Sequence, residues 1–537
     1  MAHNFKSIPE SLVAVNVLEA KFQQALIFHK QGQFAQAQAL YEEILKSTPK
    51  HFDSLHLLGV IACQTKKHQQ SVELINKAIE IFPNNAAFYS NRGNALQELS
   101  HFEDAVESYD SAILLNPDYA EAYSNRGNVL QKLKRLEDAV ESYDRAIALN
   151  PYFADAYFNR GNVFQELNQF DYAIKSYNQA IVLNPEFLDA YYNRGNAFKE
   201  LNQLAAAVDS YNQTIALKPD YADPYLNKAL ALLMDGEFDI GWKLYEWRCS
   251  NEKAKLRKRN FTQSLWLGKE SLKGKTIFLH SEQGLGDTIQ FCRYTKLVSE
   301  LGARVIIEVE KPLVGLLQGL AGVTDLLAKG SIIPPFDYHC PLMSLPLAFK
   351  TDIKSIPNSG KYLRSNTSKL TYWASKLGEK KTMRVGLVWS GNSDHKNDQN
   401  RSILLADIIM KLPLHCQYVS LQKEVREIDK SALNLNPNIL HFGDELNDFT
   451  DTAALCECMD IVISVDTSVA HVSGSIGKET WLLLPFSPDW RWMLDRDDSP
   501  WYPSVKLYRQ PKVGDWNSAL LIVNADLARL IKNKITI

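Results

Sequence analysis

The sequence is poor in cysteine, in net charge and in long apolar runs. Its 537 residues contain 7 cysteines, an odd and scattered set that favours a reducing compartment over a disulfide framework. Because 59 Lys and Arg oppose 62 Asp and Glu, the net charge of −3 gives no reason to expect a nucleic-acid partner. The apolar runs fall far below the ~20 residues that a membrane span requires, and the N-terminus lacks the features of a secretion signal. We expect a cytoplasmic protein with no membrane span.

Cysteine spacing also predicts no metal site. Cys456 and Cys458 are close in sequence, but they fall in a segment, Asp451 to Met459, whose sequence predicts a helix. Residues two apart on a helix point to different faces, so buried or idle thiols are favoured over a zinc site.

The front of the chain repeats itself every 34 residues. Proline recurs in this register, glycine recurs ten residues after the proline, and alanine and tyrosine follow the glycine by twelve and sixteen residues. Small residues let two helices approach closely, and proline ends a helix by removing a backbone donor; we expect the tyrosine to fill the gap between neighbouring repeats. The register residues are Pro49, Pro83, Pro117, Pro151, Pro185 and Pro219, with Gly59, Gly93, Gly127, Gly161 and Gly195, Ala105, Ala139, Ala173 and Ala207, and Tyr109, Tyr143, Tyr177 and Tyr211.

This pattern resembles the tetratricopeptide repeat (TPR) family. The resemblance implies an α-helical TPR solenoid of seven repeats over residues 18–255, preceded by an N-terminal segment, 1–17, and binding a protein or peptide partner in its groove. The last repeat departs from the pattern, because Lys253 stands where the proline is expected.

A line of asparagines recurs on the first helix of the repeats. At 100° per residue, Asn125 lies about 200° from Tyr123 and therefore faces away from the partner helix. The line is similar to the asparagine ladder of the TPR-containing O-GlcNAc transferases, which implies recognition of an extended peptide backbone. An ordinary solvated helix face explains the same pattern equally well. The asparagines are Asn91, Asn125, Asn159, Asn193 and Asn227.

After residue 255 the 34-residue repeat disappears. Short runs of β-branched residues alternate there with helical stretches, which predicts a parallel-sheet α/β architecture. Two Rossmann-like units in a GT-B arrangement are expected, over residues 256–375 and 376–537, with a ligand cleft between the carboxyl ends of both sheets. The basic segment from Glu252 to Lys258 is the predicted junction, and a final helix from about Asn517 is expected to brace the first unit. Predicted strands are Thr276–His280, Arg304–Val309, Met383–Trp389, Tyr418–Leu421 and Ile461–Val465.

Two strand-to-helix turns in this region carry candidate site residues. The first reads Ser281-Glu-Gln-Gly-Leu-Gly-Asp-Thr288, where Gly284 and Gly286 could permit a tight turn and Asp287 could cap the helix. The second reads Asp466-Thr-Ser-Val-Ala-His471, where helix N-terminal hydroxyls and N–H groups suit a diphosphate or merely cap the helix.

The two turns together resemble those of family-nine, heptosyltransferase-like GT-B glycosyltransferases. Gly286-Asp287 matches the Gly-Asp motif of that family, Asp466-Thr-Ser-Val-Ala-His471 its Asp-Thr-Gly-x-x-His, and Trp389-Ser-Gly-Asn392 through Arg401 its phosphate-side loop. Ser468 replaces a motif glycine, and the surroundings of Trp490-Arg-Trp492 and of Asp495 to Asp498 depart from the family, so heptose is not implied as the sugar. We expect the acidic Asp495 to Asp498 stretch to be a solvated loop.

The resemblance implies a metal-independent hexosyl or heptosyl transfer from a nucleotide sugar with inversion. Asp287 would be the general base, and Arg401, Thr467 and Ser468 would stabilise the departing diphosphate. Asp466 and His471 would contact the sugar or shape the turn, and Asp444 would meet the ribose or base; Gly284, Gly286 and Ser390 complete the predicted donor site. No cofactor is expected. His395 and Lys396 are equally well explained as loop residues or as ligands.

Two other readings remain open. The back half could be a degenerate, non-catalytic nucleotide-sugar fold in a TPR scaffold protein. An enzyme of the O-GlcNAc transferase type would also join repeats to a GT-B fold, but the back half does not match the catalytic half of that family.

Overall fold

The computed structural model describes residues 10–250, 259–358, 360–395 and 397–535. It divides the chain into two compact units, Met1–Ala197 and Phe198–Ile537. The junction predicted at 252–258 lies entirely outside the described residues, so the predicted boundary at 255/256 stays a prediction.

The first unit consists of helices that pack in antiparallel pairs. Helix α1 packs against α2, α3 against α4, α5 against α6, α7 against α8 and α9 against α10. The helices are α1 (Glu10–Lys30), α2 (Phe34–Ser47), α3 (Phe52–Gln64), α4 (His68–Ile81), α5 (Ala86–Glu98), α6 (Phe102–Leu115), α7 (Ala120–Lys132), α8 (Leu136–Leu149), α9 (Ala154–Glu166), α10 (Phe170–Leu183) and α11 (Leu188–Glu200), whose last three residues belong to the second unit.

The turn inside each repeat has one residue in the left-handed conformation. Lys134, for example, has φ of 61° between α7 and α8. This conformation reverses the chain between two helices, and a side chain there costs about 1 kcal/mol. The same conformation recurs every 34 residues, at Gly32, Lys66, Ser100, Lys134, Asn168, Asn202 and Gly236. The sequence period is therefore a backbone period as well.

The register tyrosines pack against the register glycines of their own repeats. A Cβ atom on Gly127 would lie 2.8 Å from the ring of Tyr143, sixteen residues on, and Gly93 meets Tyr109 in the same way. Whether the ring also fills the gap to the neighbouring repeat, as the sequence predicts, stays a prediction. The ring occupies the space that glycine leaves inside one helix pair.

The second unit begins with repeat helices and continues into two sheets. Its first helices are α12 (Leu204–Leu217), α13 (Ala222–Asp235) and α14 (Phe238–Tyr245). Trp242 and Tyr245 of α14 are buried in the same core as Phe291 and Trp490 of the α/β region. The last repeat is therefore part of that core, and its departure from the pattern at Lys253 lies outside the described residues.

Both sheets are parallel. The first has the order β1-β5-β2-β3-β4, from β1 (Ser264–Leu265), β2 (Thr276–His280), β3 (Arg304–Val309), β4 (Asp325–Ala328) and β5 (Tyr338–Pro341). The second has the order β11-β10-β9-β6-β7-β8, from β6 (Met383–Val388), β7 (Cys416–Ser420), β8 (Ile439–His441), β9 (Ile461–Val465), β10 (Thr480–Leu484) and β11 (Val505–Arg509). Strands β2, β3, β6, β9 and β10 are almost entirely buried runs, as parallel sheets covered on both faces require, whereas the edge strands β1 and β4 are exposed and partly buried, respectively.

Helices connect the strands of both sheets. They are α15 (Leu285–Phe291), α16 (Thr295–Glu300), α17 (Val314–Leu317), α18 (Leu345–Ala348), α19 (Thr367–Leu377), α20 (Asp398–Arg401), α21 (Leu405–Ile409), α22 (Glu427–Leu435), α23 (Phe449–Glu457), α24 (Ser468–Ser475) and α25 (Trp516–Ile535). The predicted order, helical repeats followed by a parallel-sheet α/β region, is the one observed.

The sequence led us to expect that the final helix braces the first Rossmann-like unit, but the helix packs against the second sheet instead. Leu520, Val523 and Leu527 of α25 are buried in one cluster with Val385 of β6 and Ile463 of β9. An apolar face on the last helix could be read from the sequence, but the sheet that it covers could not.

Candidate functional site

A cavity of about 1080 Å³ lies in the second unit at the carboxyl ends of the strands of both sheets. The turn after β2 contributes Gly284 to Asp287, and the loop after β6 contributes Ser390 to His395. The turn after β9 adds Asp466 to Val469, and the loop after β10 adds Ser487 to Arg491. Loops after neighbouring parallel strands meet at one edge, which is where open α/β sheets bind ligands.

The second sheet has the strand order of a dinucleotide-binding Rossmann fold, with its break between β6 and β9. Ser390 follows β6 and Asp466 follows β9, so both lie at this switch point. The nine residues predicted for catalysis and donor binding all line the cavity: Gly284, Gly286, Asp287, Ser390, Arg401, Asp466, Thr467, Ser468 and His471. Their roles stay predictions.

Asp287 is held on both oxygens. Its Oδ2 accepts the Gly284 N–H at 2.8 Å, which caps α15, and its Oδ1 pairs with the buried guanidinium of Arg491. Burial raises the pKa of Asp287, although Arg491 opposes the shift. The capping role considered from the sequence is therefore present, together with an ion pair that the sequence did not predict.

Arg491 links three parts of the site. Besides Asp287, it donates from Nε to Gln290 Oε1 at 2.6 Å and from Nη1 to Asp489 Oδ1 at 2.8 Å. Its guanidinium lies 4.5 Å from the ring centroid of Trp490. Sequence reasoning missed Arg491; the unusual Trp490-Arg-Trp492 sequence was the available signal.

Asp466 is a partly buried carboxylate beside the buried His471. Its Oδ2 accepts the indole N–H of Trp492 at 2.9 Å, and its Oδ1 lies 4.0 Å from His471 Nε2. Burial, reinforced by nearby Asp489, raises the pKa of Asp466 to about 6. Burial also lowers the pKa of His471 well below its usual value, and Nδ1 of His471 lies 2.9 Å from the hydroxyl of Tyr502.

Arg401 lies between the loops that follow β6 and β9. Its Nη1 donates to the carbonyl of Asp466 at 3.0 Å, while its Nε lies 3.7 Å from Asp398 Oδ1 and has no hydrogen bond among the described residues. A Cβ atom on Gly391 would lie 2.5 Å from Nη2 of Arg401, so the guanidinium rests directly on this glycine. Ser390 Oγ accepts from Gln422 Nε2 at 2.9 Å.

Thr467 immediately precedes α24, and its side chain makes no capping hydrogen bond. Its hydroxyl lies 3.4 Å from Ser464 Oγ. The first N–H groups of a helix have no partner within the helix, and the helix dipole is positive there. With the hydroxyl not used as a cap, this helix end is chemically suited to an anion.

The glycines of the first turn do not have the role that the sequence suggested. Gly284 has an extended conformation, with φ of −73°, which any residue can adopt. Gly286 is required for space, because a Cβ atom there would lie 2.8 Å from His471 Cδ2. It allows α15 to approach α24.

Asp444 is exposed and does not line the cavity, in contrast to the prediction, although Leu446 to Phe449 do. The short helical turn from Gly443 to Glu445 carries its side chain to the surface. His395 lines the cavity, and Lys396 lies outside the described residues. The acidic stretch from Asp495 to Asp498 is an exposed loop in which Arg496 pairs with Asp498 at 2.7 Å.

The asparagine line of the first unit connects neighbouring repeats. Asn125 Nδ2 donates to Asn94 Oδ1 at 3.2 Å, and the same oxygen accepts the hydroxyl of Tyr109 at 2.7 Å. Asn159 and Asn193 make the equivalent bonds one and two repeats further on, at 3.0 and 2.8 Å. Each of these three side-chain amides therefore donates a hydrogen bond to the preceding repeat. Asn91 lies 2.8 Å from His56 Nε2, and Asn227 lies on α13 of the second unit.

Comparison with known families assigns the repeats. Residues 22–86 and 74–107 match tetratricopeptide repeat families, and four overlapping segments, 98–134, 127–168, 161–202 and 195–236, match a further TPR repeat family. Residues 22–236 are TPR repeats. This confirms the predicted TPR repeats over that range, while their number of seven and the boundary at residue 255 stay predictions. TPR repeats indicate a protein or peptide partner.

Individual relatives cover parts of the chain. Protein FlbA of Caulobacter vibrioides is 24% identical over 319 residues, which are 55% of this chain and 53% of FlbA, so the chain spans about half of that relative's length. The crystal structure of MamA is 26% identical and covers 30% of this chain and 95% of its own, with a TM-score of 0.29. PilF of Pseudomonas aeruginosa is 19% identical and covers 40% and 95%, with a TM-score of 0.36.

None of the described helices is both long and apolar enough to cross a membrane.

Proposed function

We propose that the second unit is a GT-B glycosyltransferase that moves a sugar, with inversion, from a nucleotide-sugar donor to an acceptor hydroxyl. One observation carries the proposal: the carboxyl ends of two Rossmann-like sheets share one cavity that holds buried carboxylates, an arginine and a helix N-terminus. A volume of about 1080 Å³ suits a nucleotide sugar together with part of an acceptor.

The donor diphosphate binds at the start of α24. Thr467 and Ser468 offer hydroxyl and backbone donors there, and Arg401 reaches the same point, as its bond to the Asp466 carbonyl indicates. These groups take up the negative charge that develops on the departing diphosphate. The proposal needs no metal ion or cofactor.

The nucleoside extends from the diphosphate towards β7 and β8. Glu424, in the loop after β7, lines the cavity, and an acid after the second strand of a Rossmann fold binds ribose hydroxyls. Glu424 therefore replaces Asp444 as the proposed ribose contact.

Asp287 is the proposed general base. It accepts the proton of the acceptor hydroxyl while that oxygen forms the new bond to C1 of the sugar and the bond from C1 to the diphosphate oxygen breaks. The products are the glycosylated acceptor, the nucleoside diphosphate and a proton on Asp287. Burial suits this role, because the raised pKa makes Asp287 a better proton acceptor than an exposed aspartate.

The test separates donor binding from transfer. We expect Asp287→Ala to lower transfer by about 100-fold or more, while the donor raises the melting temperature of the variant as it does for the wild type. Undiminished transfer by Asp287→Ala would rule out this residue as the base. Arg496→Gln is the matched control, since Arg496 lies in an exposed loop.

One observation favours a second candidate, a TPR scaffold whose α/β unit binds a nucleotide sugar without turnover. Both oxygens of Asp287 are already occupied, by Gly284 and Arg491, and a base needs one of them. If the protein is such a scaffold, the wild type and Asp287→Ala both bind the donor and neither of them transfers the sugar.

A further inference from the structure

Repeat helices form one wall of the cavity. Lys199 and Glu200 at the end of α11, and Leu230 and Met234 on α13, line the same space as Asp287. All four lie within the second compact unit. The repeat helices of this unit are therefore part of the site itself.

These wall residues occupy repeat positions that, in the first unit, line a second and smaller pocket. A smaller pocket of about 560 Å³ in the first unit is lined by Cys63, Gln64, Asn94, Gln97 and Glu98, among others. Counted in steps of 34 residues, Lys199 corresponds to Gln97 and Cys63, Glu200 to Glu98 and Gln64, and Leu230 to Asn94. The cavity and the pocket are lined by the same positions of the repeat.

The residue types change where this face meets the cavity. The position that carries Asn94, Asn128 and Asn162 in earlier repeats carries Leu230 in the last. Likewise, the position of Glu98 and Glu166 carries Met234. In the first unit, Asn94 and Asn128 accept hydrogen bonds that join neighbouring repeats. The last repeat lacks these polar groups and presents an apolar surface to the cavity that Asp287 also lines.

Hydrogen bonds join this wall to the loop after β10. Asn202 Nδ2 donates to the Phe486 carbonyl at 2.7 Å, and Ser487 Oγ donates to the Lys199 carbonyl at 3.4 Å. The same loop continues to Arg491, which pairs with Asp287. Its backbone is thus held against the repeat helices at a fixed distance from the proposed base.

We propose that Lys199, Glu200, Leu230 and Met234 form the acceptor subsite and that the acceptor is a polypeptide. This inference rests on the proposed glycosyl transfer. A Ser or Thr hydroxyl of the acceptor lies at Asp287, a neighbouring apolar side chain packs against Leu230 and Met234, and polar groups of the peptide contact the ion pair that Lys199 makes with Glu200 at 3.3 Å. Protein is the partner class that TPR repeats indicate, and a wall combining Leu, Met, Lys and Glu matches the mixed chemistry of a polypeptide.

The test uses the full chain, a panel of UDP-, GDP-, dTDP- and ADP-linked sugars, and a synthetic peptide library with one central Ser or Thr. Transfer to peptide and release of free sugar are measured together, and their ratio reports acceptor use. Leu230→Asn restores the residue of the earlier repeats and removes the apolar contact. Leu114→Asn is the matched control, because Leu114 is 83% exposed on α6.

We expect the ratio of transfer to hydrolysis to fall about tenfold in Leu230→Asn, the size of effect that an apolar contact in a pocket provides, and to stay unchanged in Leu114→Asn. An unchanged ratio in Leu230→Asn overturns the proposal. A wild-type chain that hydrolyses a donor but modifies no peptide also overturns it, while leaving the transferase assignment in place. A chain that neither binds nor hydrolyses any donor contradicts the proposed function itself.

Discussion

The polar side chains of the repeats and those of the cavity satisfy their bonding in different ways. In the first unit, Tyr143 donates to Asn128 fifteen residues away and Arg126 donates to Ser142 sixteen residues away, and the pattern recurs with the repeat. In the second unit, Asp287 and Arg491 lie 204 residues apart. A periodic sequence satisfies its polar groups locally, whereas the cavity collects charged groups from distant loops.

The difference has an energetic consequence. Arg401 Nε is buried without a hydrogen bond among the described residues, and burial raises the pKa values of Asp287 and Asp466. Burying charge in this way costs stability even where the groups are paired, as Asp287 is with Arg491 and Arg401 is with Asp398. On the proposed function, the repeats are organised for stability and the cavity for binding, and three substitutions test that contrast.

The largest expected effect is on donor affinity. Arg401→Gln removes the cation proposed to hold the diphosphate, so we expect the donor dissociation constant to rise between about 10-fold and 100-fold, as for the loss of a charged hydrogen bond. Arg126→Gln removes an arginine of the repeats that pairs with Asp110 at 2.6 Å. Calorimetric titration of both variants should show weakened binding only in the first; equal affinities would break the contrast.

A smaller effect is expected on stability at the cavity. Because the pKa of Asp466 is raised to about 6 in the folded protein, against about 3.9 in the unfolded chain, ionisation of this residue destabilises the fold. The penalty is full above about pH 7, shrinks between about pH 6 and pH 4, and is absent only below about pH 3, where the residue is protonated in both states. Asp466→Asn should therefore increase the free energy of unfolding at pH 7 by on the order of 2 kcal/mol. Denaturant unfolding at pH 7 and pH 4.5 measures this. An equal difference between variant and wild type at both pH values would contradict the burial argument.

The smallest effect is expected in the repeats. Tyr143→Phe removes the hydroxyl that donates to Asn128 at 2.7 Å, and should lower local stability by about 1 kcal/mol, with faster amide exchange in α7 and α8. Tyr152→Phe is the control, since Tyr152 is 82% exposed. If amide exchange in the two variants is indistinguishable, the bond from Tyr143 to Asn128 does not contribute to stability.

Sequence periodicity predicted the regular parts of the molecule. The helix pairs followed from the 34-residue register, and the predicted strands Thr276–His280, Arg304–Val309 and Ile461–Val465 coincide with β2, β3 and β9. Both signals are local, because proline spacing and buried β-branched runs act on the chain within a few residues. Local signals also placed the two turns that carry Asp287 and Asp466 beside the cavity.

What the sequence did not predict depends on distant contacts. The pairing of Arg491 with Asp287 needs the loop after β10 to meet the turn after β2, and no spacing rule predicts that meeting. The exposure of Asp444 and the packing of α25 on the second sheet follow from the tertiary arrangement in the same way. The asparagine line was visible, but its use between repeats required the geometry of Asn94 and Asn125.

The most direct test of the account is thermal unfolding of the full chain with each member of the nucleotide-sugar panel. A ligand that binds only the native state raises the melting temperature, by an amount that grows with its concentration. We predict that at least one donor raises the melting temperature of the wild type and of Arg126→Gln, and that Arg401→Gln loses most of the shift. No shift with any donor, or an undiminished shift in Arg401→Gln, would contradict the assignment of the cavity as a nucleotide-sugar site.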